Sequence, residues 1–457
     1  MISGSRPTLT AAYWRIWGLT AAGKFLEGLV VFMGGIALPL VQRELAPAAS
    51  AAGLLAAAPL IGILVGAPLL GSLADRWGRR PVFLAEMVLL LAGLLGAAAS
   101  PNVTCLVAAL LVIGLALGAD YPTGHLVISE QLPAAWRGPL VLGAFGCQAV
   151  GALSGSLLGL LLAAGGGTGP LGWRSLYLLP VLPVLLLTWA RLGVPESPGW
   201  RPPGSLQRHA VGDGGSSSPL APPLLRSLLL AGLPWFVQDL STYGVGIFLP
   251  QLLVEGGVAQ HSLGWATAAD GLFVAGIGLA IVLVDRWGRI GLQVAGFAGC
   301  AAGLALAAWG CRSAVQAPGL VIAGVGLFLF MTNAGPNATT YLLAGEVFPM
   351  AQRGQGAGLA AAAGKGGAVL AAFSLPELLL RWGAGPVLAG LALSSVLGGL
   401  LTGWLQLDPA LEHAQAGTGT GAAQERGAAR AAAFHKKGAS ARGEAARTPD
   451  VEHSEQR

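Results

Sequence analysis

Charged side chains are scarce in this sequence. Of its 457 residues only 10% are Asp, Glu, Lys or Arg, whereas 54% are hydrophobic and 71 are glycine. A soluble domain carries about 25% charged residues, so this composition excludes an ordinary soluble protein. The formal net charge of +5 reflects loops and the C-terminal segment, so it does not indicate nucleic-acid binding.

Cysteine is scarce as well. The four cysteines, Cys105, Cys147, Cys300 and Cys311, fall in or near apolar runs and lack the spacing of metal ligands. We interpret them as small packing residues. No nucleophile–base pair and no cluster of metal ligands stands out in the sequence, so we expect neither an enzyme nor a cofactor.

Long apolar runs dominate the chain instead. A run of about 20 residues spans the hydrocarbon core of a bilayer as a helix. We predict six spans in each half of the chain, at residues 13–40, 51–74, 81–99, 104–129, 138–164, 173–192, 227–254, 263–284, 290–309, 318–343, 354–380 and 383–405. The sequence therefore predicts an all-α integral membrane protein with twelve transmembrane helices.

Composition divides the chain into four parts. We predict one six-helix bundle at residues 1–200 and a second at 226–410, joined by a linker at 201–225 that is rich in Gly, Ser and Pro. Residues 411–457 combine Ala, Gly and mixed charge with few large apolar side chains. We predict a disordered cytoplasmic tail there.

Basic residues indicate the orientation in the membrane. They cluster in alternate connections, at Arg76, Arg79 and Arg80, at Arg137, at Arg191, Arg201, Arg208 and Arg226, at Arg286 and Arg289, and at Arg353. The positive-inside rule places these loops and both termini in the cytoplasm. The first span is too long for a cleavable signal and carries Lys24 and Glu27, so we expect a multi-pass protein of the plasma membrane or cell inner membrane.

Two short motifs are repeated in step. Asp-Arg-Trp-Gly-Arg occurs at 75–79 and again at 285–289, 210 residues later. Glu130 precedes Arg137 by seven residues, and 216 residues later Glu346 precedes Arg353 by seven. An offset of about half the chain indicates an internal duplication of six spans rather than a solenoid, whose repeats are much shorter.

The repeated loop, with Gly71 four residues before Asp75, resembles the loop signature of the major facilitator superfamily. The resemblance implies two pseudo-symmetric six-helix bundles. Gly71 would let two helices approach closely, and Asp75 would cap a helix N-terminus or pair with an arginine across the two halves. A purely topogenic cluster is the alternative, and two matching copies disfavour it. We assign conformational roles to Gly71, Asp75, Arg76, Arg79, Glu130, Arg137, Asp285, Arg286, Arg289, Glu346 and Arg353.

Ionisable residues inside spanning helices are few, and such groups usually face a polar cavity. The ones that stand out are Lys24 and Glu27 in span one, Asp120 in span four, Asp239 in span seven and Lys365 in span eleven. Lys24 and Glu27 share a helix face, so a simple structural pair is an equal alternative. No acid lies within a turn of Lys365, which favours a contact with a ligand. We expect Glu86 to be interfacial and His125 to be a packed neutral imidazole.

Three segments resemble the proton-coupled inorganic phosphate symporters of this superfamily. They are Leu117-Gly-Ala-Asp-Tyr-Pro in span four, Trp235-Phe-Val-Gln-Asp with Tyr243 in span seven, and Asn333-Ala-Gly-Pro-Asn-Ala-Thr-Thr-Tyr with Lys365 in spans ten and eleven. The resemblance implies a substrate site formed by Tyr121, Gln148, Trp235, Asp239, Tyr243, Lys365 and an asparagine of span ten, Asn337 in preference to Asn333. It also implies that Glu27, Asp120 and Asp239 carry protons. Lys24 is a charge beyond the family's pattern.

These residues predict a transporter whose partners are a small anion, phosphate in the first place, protons and the lipid bilayer, and which acts as a monomer. Three ionised acids would repel an anion, and protonation of Asp239 would relieve that repulsion, so proton and anion would bind cooperatively. The alternatives are a proton symporter of another small organic anion or sugar-like solute, and a non-transporting nutrient receptor on the same scaffold.

Overall fold

Hydrocarbon offers the backbone no hydrogen-bond partners, so apolar spanning segments fold as helices. The computed structural model describes residues 8–46, 49–164, 171–198, 200, 222–258, 262–312, 317–349 and 352–405, and all regular structure within these ranges is helical. The helices are α1 (Ala11–Leu45), α2 (Ala49–Trp77), α3 (Arg79–Ala98), α4 (Val103–Gln131), α5 (Arg137–Ala164), α6 (Arg174–Leu178), α7 (Val181–Arg191), α8 (Pro222–Glu255), α9 (Ser262–Gly310), α10 (Pro318–Ala334), α11 (Pro336–Glu346), α12 (Arg353–Trp382) and α13 (Ala384–Leu405). A short 3₁₀ helix at Ala134–Trp136 precedes α5.

Nine helical stretches in these ranges are long and apolar enough to cross a membrane. One of them, Gly271–Gly310, covers two predicted spans, because α9 contains a break at Gly288 between spans eight and nine. Helix α8 coincides with predicted span seven, but Gln238 and Asp239 make its middle less apolar.

Two predicted spans are broken helices. Span six is divided into α6 and α7 around Pro180, and span ten into α10 and α11 at Gly335, directly before Pro336. Proline interrupts a helix because it lacks an N–H donor and its ring crowds the preceding turn. The last residues of the predicted linker, from Pro222 on, belong to helix α8. The rest of that linker and the predicted tail lie outside the described residues.

The glycine of the repeated motif forms the same corner in both halves. Gly78 has φ 108° and Gly288 has φ 73°, a region that glycine adopts without the steric penalty of a Cβ. In each half the helix before the glycine therefore ends at the motif tryptophan, and the next helix starts at its second arginine. The duplicated sequence encodes a duplicated turn.

The helices α1–α7 and α8–α13 form two halves that meet along two helix pairs, α2 with α12 and α5 with α9. Within the halves, α1 packs on α5 and α8 packs on α12, pairs that the duplication relates to each other. Glycine permits both close approaches. A Cβ on Gly28 would lie 2.0 Å from the Gln148 carbonyl oxygen, and one on Gly367 would lie 2.1 Å from the Phe236 carbonyl oxygen.

The contact at Gly367 gives a test of the packing. Gly367→Ala should lower the free energy of unfolding by about 1–3 kcal/mol, because the added methyl group would separate α8 from α12. The neighbouring Gly366→Ala is the matched control, since its Cβ would make only ordinary contacts at 3.7 Å with the Phe236 ring. Thermal unfolding in detergent measures both, and equal melting temperatures for the two variants would contradict the packing described above.

Candidate functional site

A buried ion pair lies between α8 and α12. The Lys365 Nζ donates to Asp239 Oδ2 at 2.7 Å and to the Tyr243 hydroxyl at 2.9 Å. Asp239 is 1% exposed and Lys365 is 2% exposed. Trp235 and Tyr243 lie one turn before and after Asp239 on α8, so all three side chains share a face. No acid lies within a turn of Lys365 along the sequence. Its partner, Asp239, comes from another helix.

The first half repeats this arrangement with a neutral donor. The Gln148 Nε2 on α5 donates to Glu27 Oε1 on α1 at 2.8 Å and lies 3.5 Å from the Tyr121 hydroxyl oxygen. Glu27 precedes Asp239 by 212 residues, and Gln148 precedes Lys365 by 217. The duplicated site thus holds an acid on the first helix of each half, paired with an amide in one half and an ammonium in the other.

Glu27 also belongs to a buried charge network in the first half. The Lys24 Nζ lies 2.9 Å from Glu27 Oε2 and 2.8 Å from Asp120 Oδ2. Asp120 Oδ1 lies 3.8 Å from Arg191 Nη2, and Arg191 also forms an ion pair with Glu86. The pairing of Lys24 with Glu27 that the spacing allowed is therefore present.

Two predictions about this region were wrong. Glu86 is 0% exposed rather than interfacial, and Arg191 is 0% exposed although it was grouped with the basic loop residues. Arg191 is the last residue of α7, and Glu86 lies toward the start of the predicted span at 81–99, where sequence position alone suggests contact with water. The packing of α7 on α3 buries the two side chains against each other, and each neutralises the charge of its partner.

An aromatic cluster joins the halves between these charges. The Tyr341 ring lies 4.6 Å from Phe145, 5.2 Å from His125, 6.3 Å from Tyr121 and 6.4 Å from Trp235, between ring centroids. Lys24 Nζ and Lys365 Nζ lie 4.3 Å and 5.0 Å from the centroid of the Tyr121 ring. Both cations are thus placed to interact with one π-system.

Tyr341 was missed as a site residue in the sequence. It lies one turn after Asn337, on the face of α11 that meets the first half, and this helical spacing is the signal that would have found it. His125 packs against it as predicted, with 1% of its surface exposed.

The two asparagines of span ten are linked to each other. The Asn337 Nδ2 donates to Asn333 Oδ1 at 2.9 Å, and the Asn333 Nδ2 donates to the Leu329 carbonyl at 3.2 Å. Asn333 is buried, while Asn337 is partly exposed. Since Asn333 already uses its oxygen as an acceptor, Asn337 is the better placed of the two to approach a solute.

The repeated loops at 75–79 and 285–289 lie together with the C-terminal ends of α4 and α11 and the N-terminal ends of α5 and α12. We call this surface the loop face. There Asp75 caps a helix of the opposite half. Its Oδ1 accepts from the Gly354 N–H at 3.1 Å and its Oδ2 from the Gln355 N–H at 2.8 Å, at the N-terminus of α12. Of the two roles considered for Asp75, capping is the one observed, and the arginine it pairs with, Arg79 at 2.6 Å, belongs to its own half.

The two repeated motifs contact each other within each half. Arg79 lies 3.3 Å from Glu130, and Arg289 donates two hydrogen bonds of 3.0 Å and 3.1 Å to Glu346. Arg289 also lies 3.7 Å from Asp285. In both halves the glutamate of the second motif thus pairs with the last arginine of the first motif. This pairing explains why the two motifs repeat at nearly the same offset.

The remaining motif residues occupy three kinds of position. Arg76 and Arg286 are exposed, and Arg353 is buried with its Nε donating to the Phe348 carbonyl at 3.1 Å. Arg137 begins α5 and is partly exposed. A Cβ on Gly71 would lie 2.4 Å from the Gly354 carbonyl oxygen, so this glycine permits the predicted close approach of α2 to α12.

Two helical halves around a central buried site are the architecture of a membrane transporter. The chain belongs to the Major Facilitator Superfamily, whose family model matches residues 20–334. The predicted fold class, twelve helices in two pseudo-symmetric bundles, is confirmed by this membership and by the similar solved structures.

The similar proteins are named as transporters of different substrates. The chain is 24% identical over 376 residues to a probable inorganic phosphate transporter 1-9 of Arabidopsis thaliana, covering 65% of this chain and 70% of the relative. It is 28% identical over 313 residues to the putative niacin/nicotinamide transporter NiaP of Bacillus subtilis, covering 68% and 74%. The proton:xylose symporter XylE of E. coli has a similar structure, with TM-score 0.75, 21% identity and coverage of 86% and 96%. This last likeness shows the fold alone.

The Lys365–Asp239 pair predicts strong energetic coupling. Lys365→Met or Asp239→Leu alone should destabilise the protein by about 3–5 kcal/mol, because each leaves one uncompensated buried charge. The double variant should lose less than the sum of the two. The exposed pair Arg381 and Glu377 is the control, and its cycle should show little coupling. Additive losses at Lys365 and Asp239 in thermal unfolding would argue against a buried pair.

The cap at Asp75 predicts a shift in conformation. Asp75→Ala removes two hydrogen bonds between the halves, so the loop face should open in a larger fraction of molecules. Spin labels at the exposed positions 77 and 287, in a background without native cysteines, report the distance by electron–electron resonance. Glu377→Ala is the control, because it removes an exposed carboxylate near the other end of α12. An unchanged distance distribution in Asp75→Ala would refute the role of the cap.

Proposed function

We propose that this protein is a secondary transporter, not an enzyme, that couples the uptake of inorganic phosphate to protons. One observation carries the proposal: the ammonium group of Lys365 lies buried at the centre of the helical unit. Among the described residues, Asp239 is the acid that forms an ion pair with it. A buried lysine beside tyrosine, tryptophan and amide donors is suited to bind a small oxyanion. The relatives named as phosphate transporters support the same substrate.

The ion pair provides the coupling. An anion that binds Lys365 must compete with the Asp239 carboxylate, 2.7 Å from the Nζ. Protonation of Asp239 removes that competitor and leaves the ammonium free to hold the anion. By linkage, the anion then favours the protonated acid to the same degree as the proton favours the anion. A proton and an anion therefore bind together and leave together.

The two halves provide alternating access. Rocking of the bundles about a central site is how duplicated transporters expose that site to one side at a time. The capping of α12 by Asp75 and the aromatic contacts of Tyr341 close the site from the loop face. We propose that the loop face is cytoplasmic, because Arg76, Arg80 and Arg286 follow the positive-inside rule there.

A small organic anion is the second candidate substrate. The rings of Tyr121, Trp235 and Tyr341 lie within 6.4 Å of one another beside Lys365, and such a cluster suits a planar aromatic carboxylate. The relative NiaP is named as a niacin/nicotinamide transporter. Nicotinate would use the same lysine for its carboxylate and the rings for stacking.

Uptake into proteoliposomes tests the proposal. Radiolabelled phosphate should enter faster when the outside is acidic. Lys365→Met and Asp239→Asn should each lower the rate about tenfold or more, since the first removes the group that binds the anion and the second removes the acid that binds the proton. Arg381→Gln removes an exposed cation and should transport like the wild type.

Competition separates the two substrates. An excess of unlabelled phosphate should suppress the uptake, whereas an excess of nicotinate should not. Suppression by nicotinate, together with labelled nicotinate uptake that depends on Lys365, would favour the second candidate. Phosphate entry that neither responds to the pH gradient nor falls in Asp239→Asn would refute proton-coupled phosphate transport.

A further inference from the structure

The buried charge network of the first half has a composition that the proposed transport step does not explain. Its members are Lys24, Glu27, Glu86, Asp120 and Arg191, and none of them is more than 3% exposed. Three acids share two cations, so the fully ionised network carries one negative charge in excess. A low-dielectric interior disfavours an uncompensated charge, and one bound proton would neutralise the network.

The Lys24 ammonium lies between two carboxylates and contacts both. Its Nζ lies 2.9 Å from Glu27 and 2.8 Å from Asp120, on different helices. The rings of Tyr121 and Tyr341, 4.3 Å and 5.1 Å from the Nζ to their centroids, present their π-faces to the same ammonium. Without this cation, two acids would face each other across a few ångströms in a buried site.

Other groups around the network cannot replace Lys24. From α5, Gln148 gives Glu27 one neutral hydrogen bond. From α7, Arg191 lies 3.8 Å from Asp120 and is shared with Glu86, which also accepts a hydrogen bond of 2.8 Å from the Thr123 hydroxyl. Neutral donors stabilise a carboxylate without balancing its charge. Removal of Lys24 would therefore leave two uncompensated carboxylates in place of one.

We propose that Lys24 acts as a fixed counter-cation in place of a proton, and thereby sets the proton-to-anion ratio of transport. This rests on the proposed function, because it concerns the protons that accompany the anion. With Glu86 paired to Arg191, Lys24 balances one of the two carboxylates Glu27 and Asp120 and one bound proton neutralises the other. Asp239 is then left as the acid whose protonation is coupled to the substrate. A neutral residue at position 24 leaves both Glu27 and Asp120 without that cation, so the second of these two acids becomes an additional proton carrier.

Reversal potentials in proteoliposomes test this ratio with fixed phosphate and proton gradients. Lys24→Met should raise the ratio by one proton per anion, and Lys24→Arg should keep the wild-type ratio because it keeps the charge. The double variant Lys24→Met with Glu27→Gln removes the cation and one acid together, so the wild-type ratio should return. A wild-type ratio in a folded Lys24→Met, or a raised ratio in the double variant, would overturn the proposal.

A second measurement does not depend on transport. In Lys24→Met the folded protein must keep one more acid protonated, so its melting temperature should fall relative to the wild type as the pH rises from mildly acidic to mildly alkaline. Lys24→Arg should follow the wild type. Parallel profiles for Lys24→Met and the wild type would overturn the role of Lys24, whereas absent phosphate uptake in the wild type would refute only the proposed function.

Discussion

A charge buried among apolar helices must be balanced at short range, and the structure is organised around this constraint. Lys365 and Asp239 satisfy it across two helices, 2.7 Å apart. That contact requires α8 and α12 to approach closely, and Gly367 is what allows the approach. The same ion pair is what an entering anion would have to open. In the proposed transport cycle, the interaction that joins α8 and α12 would therefore also make anion binding depend on a proton.

The duplication explains much of the rest, and its exceptions point to function. The corner glycines Gly78 and Gly288 adopt the same unusual conformation, and the pairs Arg79–Glu130 and Arg289–Glu346 repeat. The halves differ at the donor to this acid: Gln148 donates to Glu27 in the first half, whereas Lys365 donates to Asp239 in the second. An amide on α5 and an ammonium on α12 thus occupy equivalent places, and this is where the two halves differ in charge.

The loop face and the central cluster act on the same interface. Asp75 fixes the N-terminus of α12 to the first half, and Tyr341 stacks on Phe145 deeper in the protein. Both contacts join the halves, so both would change in the proposed rocking of the bundles. Helix α12 also carries Lys365, which connects the cap at its end to the ion pair in its middle.

The sequence predicted a good part of the candidate site. Pairing of Lys24 with Glu27 followed from their spacing on one helix, and Trp235, Asp239 and Tyr243 share a face because they are one turn apart. The sequence could not predict the contact of Lys365 with Asp239, since 126 residues separate them. The burial of Glu86 and Arg191 could not be predicted either, because it depends on the packing of α7 on α3.

What the sequence determined by itself was the helical membrane fold and its duplication, because hydropathy and repeated motifs are local properties of the chain. The tertiary structure decided which charges neutralise each other: Lys365 with Asp239, Lys24 with both Glu27 and Asp120, and Arg191 with Glu86. Electrostatic pairing in an apolar interior depends on distances of a few ångströms between helices that are remote in sequence. Only the packed structure sets those distances.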